Sequence, residues 1–175
     1  MKKRRLAIIA FMFIAVLTLG IGFAALTVDL DINGSAELGL TPAFSEKINF
    51  TSAVANRATD GDTAGINQQN SHKANFTVKS LKTAEDTATF TYVITNTSDY
   101  DAIVTLETIT NTVNPSYFTV TTDVPESGVA IANTDGTATV VVTVKLNSVP
   151  PSTELTGTFG IILRVSTTEI VQSLE

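Results

Sequence analysis

Residues 26–40, LTVDLDINGSAELGL, decide how the chain folds, because apolar residues occupy almost every second position. Side chains alternate between the two faces of a β-strand, so this spacing predicts one apolar and one polar face. The apolar row consists of Leu26, Val28, Leu30, Ile32, Ala36, Leu38 and Leu40. At about 3.3 Å per residue the stretch is predicted to extend roughly 50 Å, which is long for one strand of a small domain.

The dipeptide Asn33-Gly34 lies in the middle of this stretch and ordinarily favours a two-residue hairpin turn. A hairpin there would set Ile32 opposite Ser35, and would place the apolar row of one arm beside the polar row of the other. A strand that continues through Gly34 keeps the apolar face intact. We therefore expect an extended segment, with Asn33 and Gly34 as a hinge from which part of it bends or projects.

The rest of the chain repeats the period-two alternation, most clearly at 87–95, 137–146 and 158–166. Weaker runs fall near 47–54, 74–82, 102–109, 117–122 and 128–132. The chain contains 29 threonines, which are β-branched and suit the solvated face of a strand. Eight or nine strands joined by turns predict an all-β fold, a two-sheet antiparallel sandwich or jelly roll. Residues 55–72 lack alternation and are predicted to form a long surface loop.

The N-terminal segment has the features of an export signal. Residues 6–26 carry no charge and follow a basic cluster at positions 2–5. Small residues at Gly22 and Ala24 fit cleavage by signal peptidase between Ala24 and Ala25. The apolar run is also long enough to span a bilayer, so two outcomes stay open. Either residues 1–24 form an apolar signal helix that is removed, or they remain as a membrane anchor. In both cases we expect export to the cell surface or beyond. The protein would contact the membrane only through a leader that is not cut.

The composition excludes several classes of function. After the leader, seven basic and seventeen acidic residues remain, a formal charge of −10 that disfavours nucleic-acid binding. The absence of cysteine removes thiolate nucleophiles and Cys-based metal sites, and His72 is the one histidine from which a catalytic triad would have to be built. The adjacent carboxylates Glu85 and Asp86 would point to opposite faces of a strand. We therefore expect no enzymatic activity and no cofactor.

Asp60 and Asp62, in the sequence Asp60-Gly61-Asp62, are weak candidates for calcium ligands, since that ion binds several carboxylate and carbonyl oxygens. The EF-hand pattern fails at Ala64, and no glutamate follows at the required distance. A solvated loop is the favoured interpretation, so no metal site is expected, and His72 at the end of this loop is expected to be an exposed polar residue.

The junction GIGFAALTVDLDINGSAEL at 20–38, with its basic start, long apolar leader and cysteine-free body, resembles the TasA and camelysin-like exported proteins of Gram-positive bacteria and related archaeal pilins. The resemblance implies a jelly-roll subunit of an extracellular fibre. It also implies that the mature N-terminal segment, about residues 25–33 here, is a donor strand for a neighbouring subunit. Some members carry a metalloprotease label, but this chain has no HExxH pattern, so that activity is not carried over.

An extended strand with an apolar face and unpaired backbone groups needs a partner. We expect a structural subunit of a fibre or pilus of the biofilm-matrix type, in which each copy donates a strand head-to-tail to the next. The donated side chains are Leu26, Val28, Leu30 and Ile32. Residues 25–40 form an N-terminal extended strand, the candidate donor strand, and 41–175 form the sandwich domain.

Two alternatives stay open. Residues 26–40 cross between the two sheets of their own domain through a kink at Gly34, or the protein is a membrane-tethered monomeric binding or adhesion module whose 55–72 loop contacts a ligand.

Overall fold

Alternation of apolar and polar residues in the sequence becomes alternation of burial in the computed structural model, which describes residues 32–40, 46–150 and 158–167. The strand Gly136–Leu146 is the clearest case, because its even-numbered side chains from Ala138 to Leu146 are buried while Thr137 and Thr139 are exposed. The β-branched residues of this strand, mostly valine inside and threonine outside, suit a pleated surface with one wet face.

The described residues form ten strands and one short 3₁₀ helix at Ala58–Asp60. The strands are β1 (Ile32–Leu40), β2 (Ile48–Ala55), β3 (Thr63–Ile66), β4 (Lys73–Val78), β5 (Thr87–Asn96), β6 (Ala102–Asn111), β7 (Phe118–Thr122), β8 (Val129–Ile131), β9 (Gly136–Leu146) and β10 (Thr158–Thr167).

The strands are arranged in two sheets, and this confirms the predicted all-β class. One sheet has the order β3-β4-β1-β10-β6-β8, and the other has the order β2-β5-β9-β7. The neighbours are antiparallel with one exception, since β1 and β10 run parallel. This pair departs from the expected antiparallel arrangement. The first and last described strands can lie parallel because no tight turn has to connect them.

The core lies between the two sheets. The ring of Phe76 on β4 stacks on that of Phe90 on β5, with ring centroids 4.6 Å apart. At the other side Phe118 of β7 meets Phe159 of β10 edge-on, at 6.2 Å. Each pair joins one sheet to the other, so the sheets pack face to face through aromatic contacts.

The interval expected to be a long surface loop, 55–72, is partly regular. It begins with the last residue of β2 and contains the 3₁₀ helix and β3, which pairs with β4 at the edge of the six-stranded sheet. β3 is four residues long, includes Gly65 and has no fully buried side chain. Such a short edge strand shows no burial alternation, so its sequence gave no period-two signal.

The predicted signal segment 1–24 lies outside the described residues. Within residues 32–40, 46–150 and 158–167, no helix is long and apolar enough to cross a membrane.

Candidate functional site

β1 contains the described part of the candidate donor strand, residues 25–40. Ile32 lies opposite Val78, the last residue of β4, and Asn33 lies opposite Thr158, the first described residue of β10. From there to Leu40 the strand is in register with β10 without a shift. Ile32 therefore pairs within its own sheet, whereas Leu26, Val28, Leu30 and the predicted cut between Ala24 and Ala25 lie outside the described residues.

Asn33 and Gly34 continue the strand rather than form a hairpin, which confirms the interpretation based on the apolar face. The Asn33 side-chain oxygen accepts a hydrogen bond from the Thr77 hydroxyl at 2.8 Å. Gly34 is buried beneath the Phe76 ring, and a Cβ at this position would lie 2.1 Å from the ring's Cζ. Glycine is needed here to make room for the ring. The predicted hinge at Asn33 and Gly34 also concerns the direction of the chain before Ile32. That chain lies outside the described residues, so the hinge stays a prediction.

One edge of the six-stranded sheet is only partly covered. β8 is three residues long and pairs with β6 at Ala102, Ile103 and Val104. Beyond that point no described strand lies alongside β6 on this side, from Leu106 to Asn111. We call residues Leu106–Asn111 the open edge.

Gly128 marks the place where the cover ends. The chain turns here with a φ of 79°, which glycine adopts readily. A Cβ on Gly128 would lie 2.7 Å from Ile103 and 2.8 Å from Thr105, so the backbone packs directly against β6. The turn closes off the strand up to Thr105 and leaves the open edge uncovered by this segment.

The open edge exposes apolar side chains on the face that elsewhere forms the core. Leu106 lies opposite the buried Leu163, so both are on the core face, yet Leu106 is 37% exposed. Ile109 lies opposite the buried Ile161 and is only partly buried itself. In contrast, Val104, beside β8, is fully buried. Burial on this face therefore decreases beyond Val104, the last residue of β6 that pairs with β8.

A β-bulge separates the two apolar residues of the open edge. The register of β6 and β10 shifts so that Glu107 is the extra residue between Leu106 and Thr108. The carboxylate of Glu107 pairs with the Arg164 guanidinium at 2.9 Å. The hydrogen bond and charge of Glu107 raise the pKa of Arg164. The acidic residue at the open edge is thus already neutralised by a neighbour.

At the far end of the open edge, Asn111 has one satisfied and one unsatisfied side-chain atom. Its Nδ2 donates to the Phe118 carbonyl at 3.2 Å. Its Oδ1 is buried and has no hydrogen-bond partner among the described residues. A buried acceptor without a donor is costly, so the end of the open edge carries an unsatisfied polar atom.

The two aspartates proposed as weak calcium candidates do not share a site. Asp62 is buried, and its carboxylate accepts hydrogen bonds from the Lys79 and Ser80 amides at 2.7 and 2.9 Å and from the Ser80 hydroxyl at 2.7 Å. Asp60 is exposed and pairs with Arg57 at 3.0 Å. Protein donors occupy the oxygens of Asp62, which ties the 3₁₀ segment to the chain after β4. Within the described ranges, no group of three or more His, Cys, Asp or Glu residues could hold a metal ion.

The burial and contacts of His72, Glu85 and Asp86, the other titratable residues singled out in the sequence, are those of structural residues. His72, expected to be exposed, is half-buried, and its Nε2 is buried without a partner among the described residues. Asp86 accepts hydrogen bonds from the amides of Lys82 and Thr83, both at 2.9 Å, and these bonds lower its pKa. Glu85 is exposed and pairs with Lys145. Asp86 thus stabilises the turn before β5, and Glu85 forms a surface ion pair.

No family model, curated protein or solved structure matches this chain. No related protein therefore assigns a role to any residue of the site. Sequence reasoning missed the open edge, although β6 contains a signal for it. Leu106 and Ile109 are three residues apart in a strand, where a spacing of two is regular, and this offset indicates a bulge.

Proposed function

We propose that this protein is the structural subunit of an extracellular or cell-surface fibre, and that each copy donates residues 25–31, here called the donor segment, to the next copy. The expected donor residues Ile32 and Asn33 are left out because they pair within their own sheet. The leader directs export, signal peptidase cuts between Ala24 and Ala25, and the mature chain starts with the donor segment. The two sheets form a jelly-roll-like sandwich that acts as the body of the subunit.

One observation carries the proposal: on the β4 side, the partner of β1 ends next to the donor segment. Val78, opposite Ile32, is the last residue of β4, and the chain after it leaves the strand. On that side, no described strand lies beside the chain before Ile32. An apolar row with unpaired backbone groups is a liability that pairing with another molecule removes.

Two properties of the sequence support the same function. The alternation of Leu26, Val28 and Leu30 continues the row that is buried at Ala36 and Leu38 in β1, so the segment carries the pattern of a strand with one buried face. The chain also has no cysteine for stabilising disulfides, and a partner that binds only the folded state adds stability by mass action. The resemblance to TasA and camelysin-like proteins points the same way.

The test uses the full chain, leader included, expressed in a secreting bacterial host. Intact mass of the exported product gives the cleavage site, and negative-stain electron microscopy with sedimentation gives the assembly state. We expect a product that starts at Ala25 and forms filaments. Replacing Leu26, Val28 and Leu30 together by threonine keeps the length and β-propensity of the segment but removes its apolar row, and should leave soluble monomers.

The matched control replaces the polar row of the same segment, Thr27→Ser with Asp29→Asn and Asp31→Asn, and should retain filaments. Filaments in the threonine variant would contradict strand donation. An uncut chain that gives only single particles would instead favour a membrane-tethered monomeric binding module.

A further inference from the structure

We propose that the open edge of β6, Leu106–Asn111, is the acceptor for residues 25–31 of a second copy of this chain. The inference rests on the proposed function and adds where the donor segment binds. It requires that the open edge offers backbone groups, apolar contacts and sufficient length.

The backbone groups of the open edge are available for a new strand. The Thr112 amide donates to the Thr158 carbonyl of β10 at 3.1 Å. Because N–H groups alternate in direction along a strand, the amides of Asn111 and Ile109 point away from β10, toward the uncovered side. An added strand would pair with them.

The apolar contacts of the open edge match the donor segment. Leu106 and Ile109 are the incompletely covered members of the core face of β6. A strand laid beside them in the row of β8 turns alternate side chains toward the same core. The donor segment supplies three such side chains, Leu26, Val28 and Leu30, so the new strand would cover Leu106 and Ile109 as β8 covers Val104.

The lengths agree. Six residues of the open edge span roughly 20 Å, and the seven residues 25–31 span roughly 23 Å. The polar face of the donor carries Asp29 and Asp31, and the charge they would meet on β6 is Glu107, which Arg164 neutralises. Charge therefore does not oppose the contact.

The other sheet edges fit less well. The β2 edge is partly used, since the Phe50 amide donates to the Ser71 carbonyl at 2.9 Å. The β3 edge is four residues long. The β7 edge is five residues long, and its Phe118 carbonyl already accepts the hydrogen bond from Asn111. The open edge combines length with unpaired backbone and exposed apolar side chains.

The donor segment of the same molecule is poorly placed for this edge. Ile32 and Asn111 lie at the same end of the sheet with β10 between their strands, a separation of about 10 Å across two strand spacings. About three residues are needed to cross that distance, and the chain would also have to turn alongside β6. About four residues of 25–31 would remain for pairing, so a second copy is the better donor.

The test exploits the absence of native cysteine. Donor chains carry Thr27→Cys, Asp29→Cys or Asp31→Cys on the polar face, and acceptor chains carry Thr108→Cys, which is exposed on the corresponding face of the open edge. Control acceptors carry Thr63→Cys on β3 or Thr121→Cys on β7, both also exposed. Each exported donor is mixed with each acceptor, assembled and mildly oxidised, and disulfide-linked dimers are counted on denaturing gels.

We expect dimers between at least one donor and Thr108→Cys, at least about tenfold above both control acceptors. Filaments that cross-link through Thr63→Cys or Thr121→Cys would overturn the assigned edge and leave the proposed function standing. A fast intramolecular disulfide in a dilute chain that carries a donor cysteine together with Thr108→Cys would show that residues 25–31 bind the edge of their own molecule, and would overturn donation between copies. A native chain that never polymerises would overturn both.

A second comparison needs no cysteine. Leu106 and Ile162 have nearly equal exposure, 37% and 38%, on neighbouring strands, but Ile162 lies on the opposite face of the sheet. Leu106→Glu should slow elongation at least about tenfold, because the added strand would bury its carboxylate. Ile162→Glu should change the rate less than about twofold. Equal rates for the two variants would overturn the proposal.

Discussion

Gly34→Ala tests whether β1 is an integral strand of its own sheet. The new methyl group would lie 2.1–2.5 Å from three atoms of the Phe76 ring. That ring is 2% exposed and stacked on Phe90, so it cannot move outward without losing a core contact. Overpacking of this kind costs about 1–3 kcal/mol, and the shortness of the contacts puts this case at about 2–3 kcal/mol. For a chain of this size the melting temperature should fall by about 4–12 °C.

The matched control is Gly39→Ala in the same strand, where the new Cβ would meet its nearest atom at 3.4 Å. Without a clash, this change should be neutral or stabilise by up to about 1 kcal/mol, since alanine restricts the unfolded chain. Both variants are measured by guanidinium denaturation followed by far-UV circular dichroism at low protein concentration, because the chain has no tryptophan.

The sign of the change in the free energy of unfolding caused by Gly34→Ala decides whether residue 34 is packed within the sheet. If residue 34 were a free hinge rather than part of the ladder, alanine would behave as at Gly39. A neutral or stabilised Gly34→Ala variant would refute the packing account. Combining it with Phe76→Leu should recover about 1 kcal/mol or more relative to additivity, because the two changes share one contact.

Three further outcomes follow from the described contacts. Asp62→Ala should lower the free energy of unfolding by about 3 kcal/mol, because three donors, two of them buried, lose their acceptor. Asp60→Ala should cost less than about 1 kcal/mol, because it removes an exposed ion pair. Guanidinium denaturation measures both, and similar costs would contradict this assignment. The pKa of Asp86 is lowered from its usual 3.8 by backbone hydrogen bonds, so its stabilisation is present above that pH and is lost as the pH falls through the folded-state value. Asp86→Asn should therefore lose less stability than the native chain between about pH 5 and pH 3 in denaturation series, and parallel curves would argue against a role for this group. Arg164→Gln leaves the carboxylate of Glu107 unpaired beside the acidic donor segment, so elongation should slow at low ionic strength and recover when salt is added. Light scattering measures the elongation rate, and a rate defect unaffected by salt would rule out this electrostatic role.

The sequence was most informative where the two faces of a strand differ strongly. In β5, β9 and β10, buried apolar residues alternate with threonines or other less buried residues, so period-two reasoning located these strands to within about one residue at each end. The same reasoning carried β1 through Asn33-Gly34 against the local preference for a turn. The buried face determined the register there, as it does in most half-buried strands.

Features that depend on contacts distant in sequence were not readable. Periodicity does not identify a strand's neighbour, so the parallel pairing of β1 with β10 had no signal. The requirement for glycine at position 34 comes from Phe76, which is distant in sequence and adjacent only in the sheet. The burial of Asp62 likewise depends on donors at Lys79 and Ser80. Its position next to Gly61 resembled a solvated loop because the sequence does not show what packs above it.

The open edge was difficult to predict for a related reason. Whether a strand is covered depends on how far its neighbour extends. β8 extends no further along β6 because the chain turns at Gly128, just before β8 starts. The bulge at Glu107 also shifts the alternation of β6, so Leu106 and Ile109 appear in the sequence to be on opposite faces when both face the core. The incomplete cover of this core face depends on where both strands lie in the sheet, which the sequence of β6 alone does not contain.

Hydrogen exchange, read by mass spectrometry on the exported native chain, tests strand donation between copies most directly. Dilute monomers and assembled filaments are compared peptide by peptide. We predict that amides in 25–31 and in 106–111 become protected together on assembly, while the central strand β5 is protected in both states. Segment 25–31 protected already in dilute monomers, or 106–111 exchanging equally fast in both states, would contradict donation to this edge.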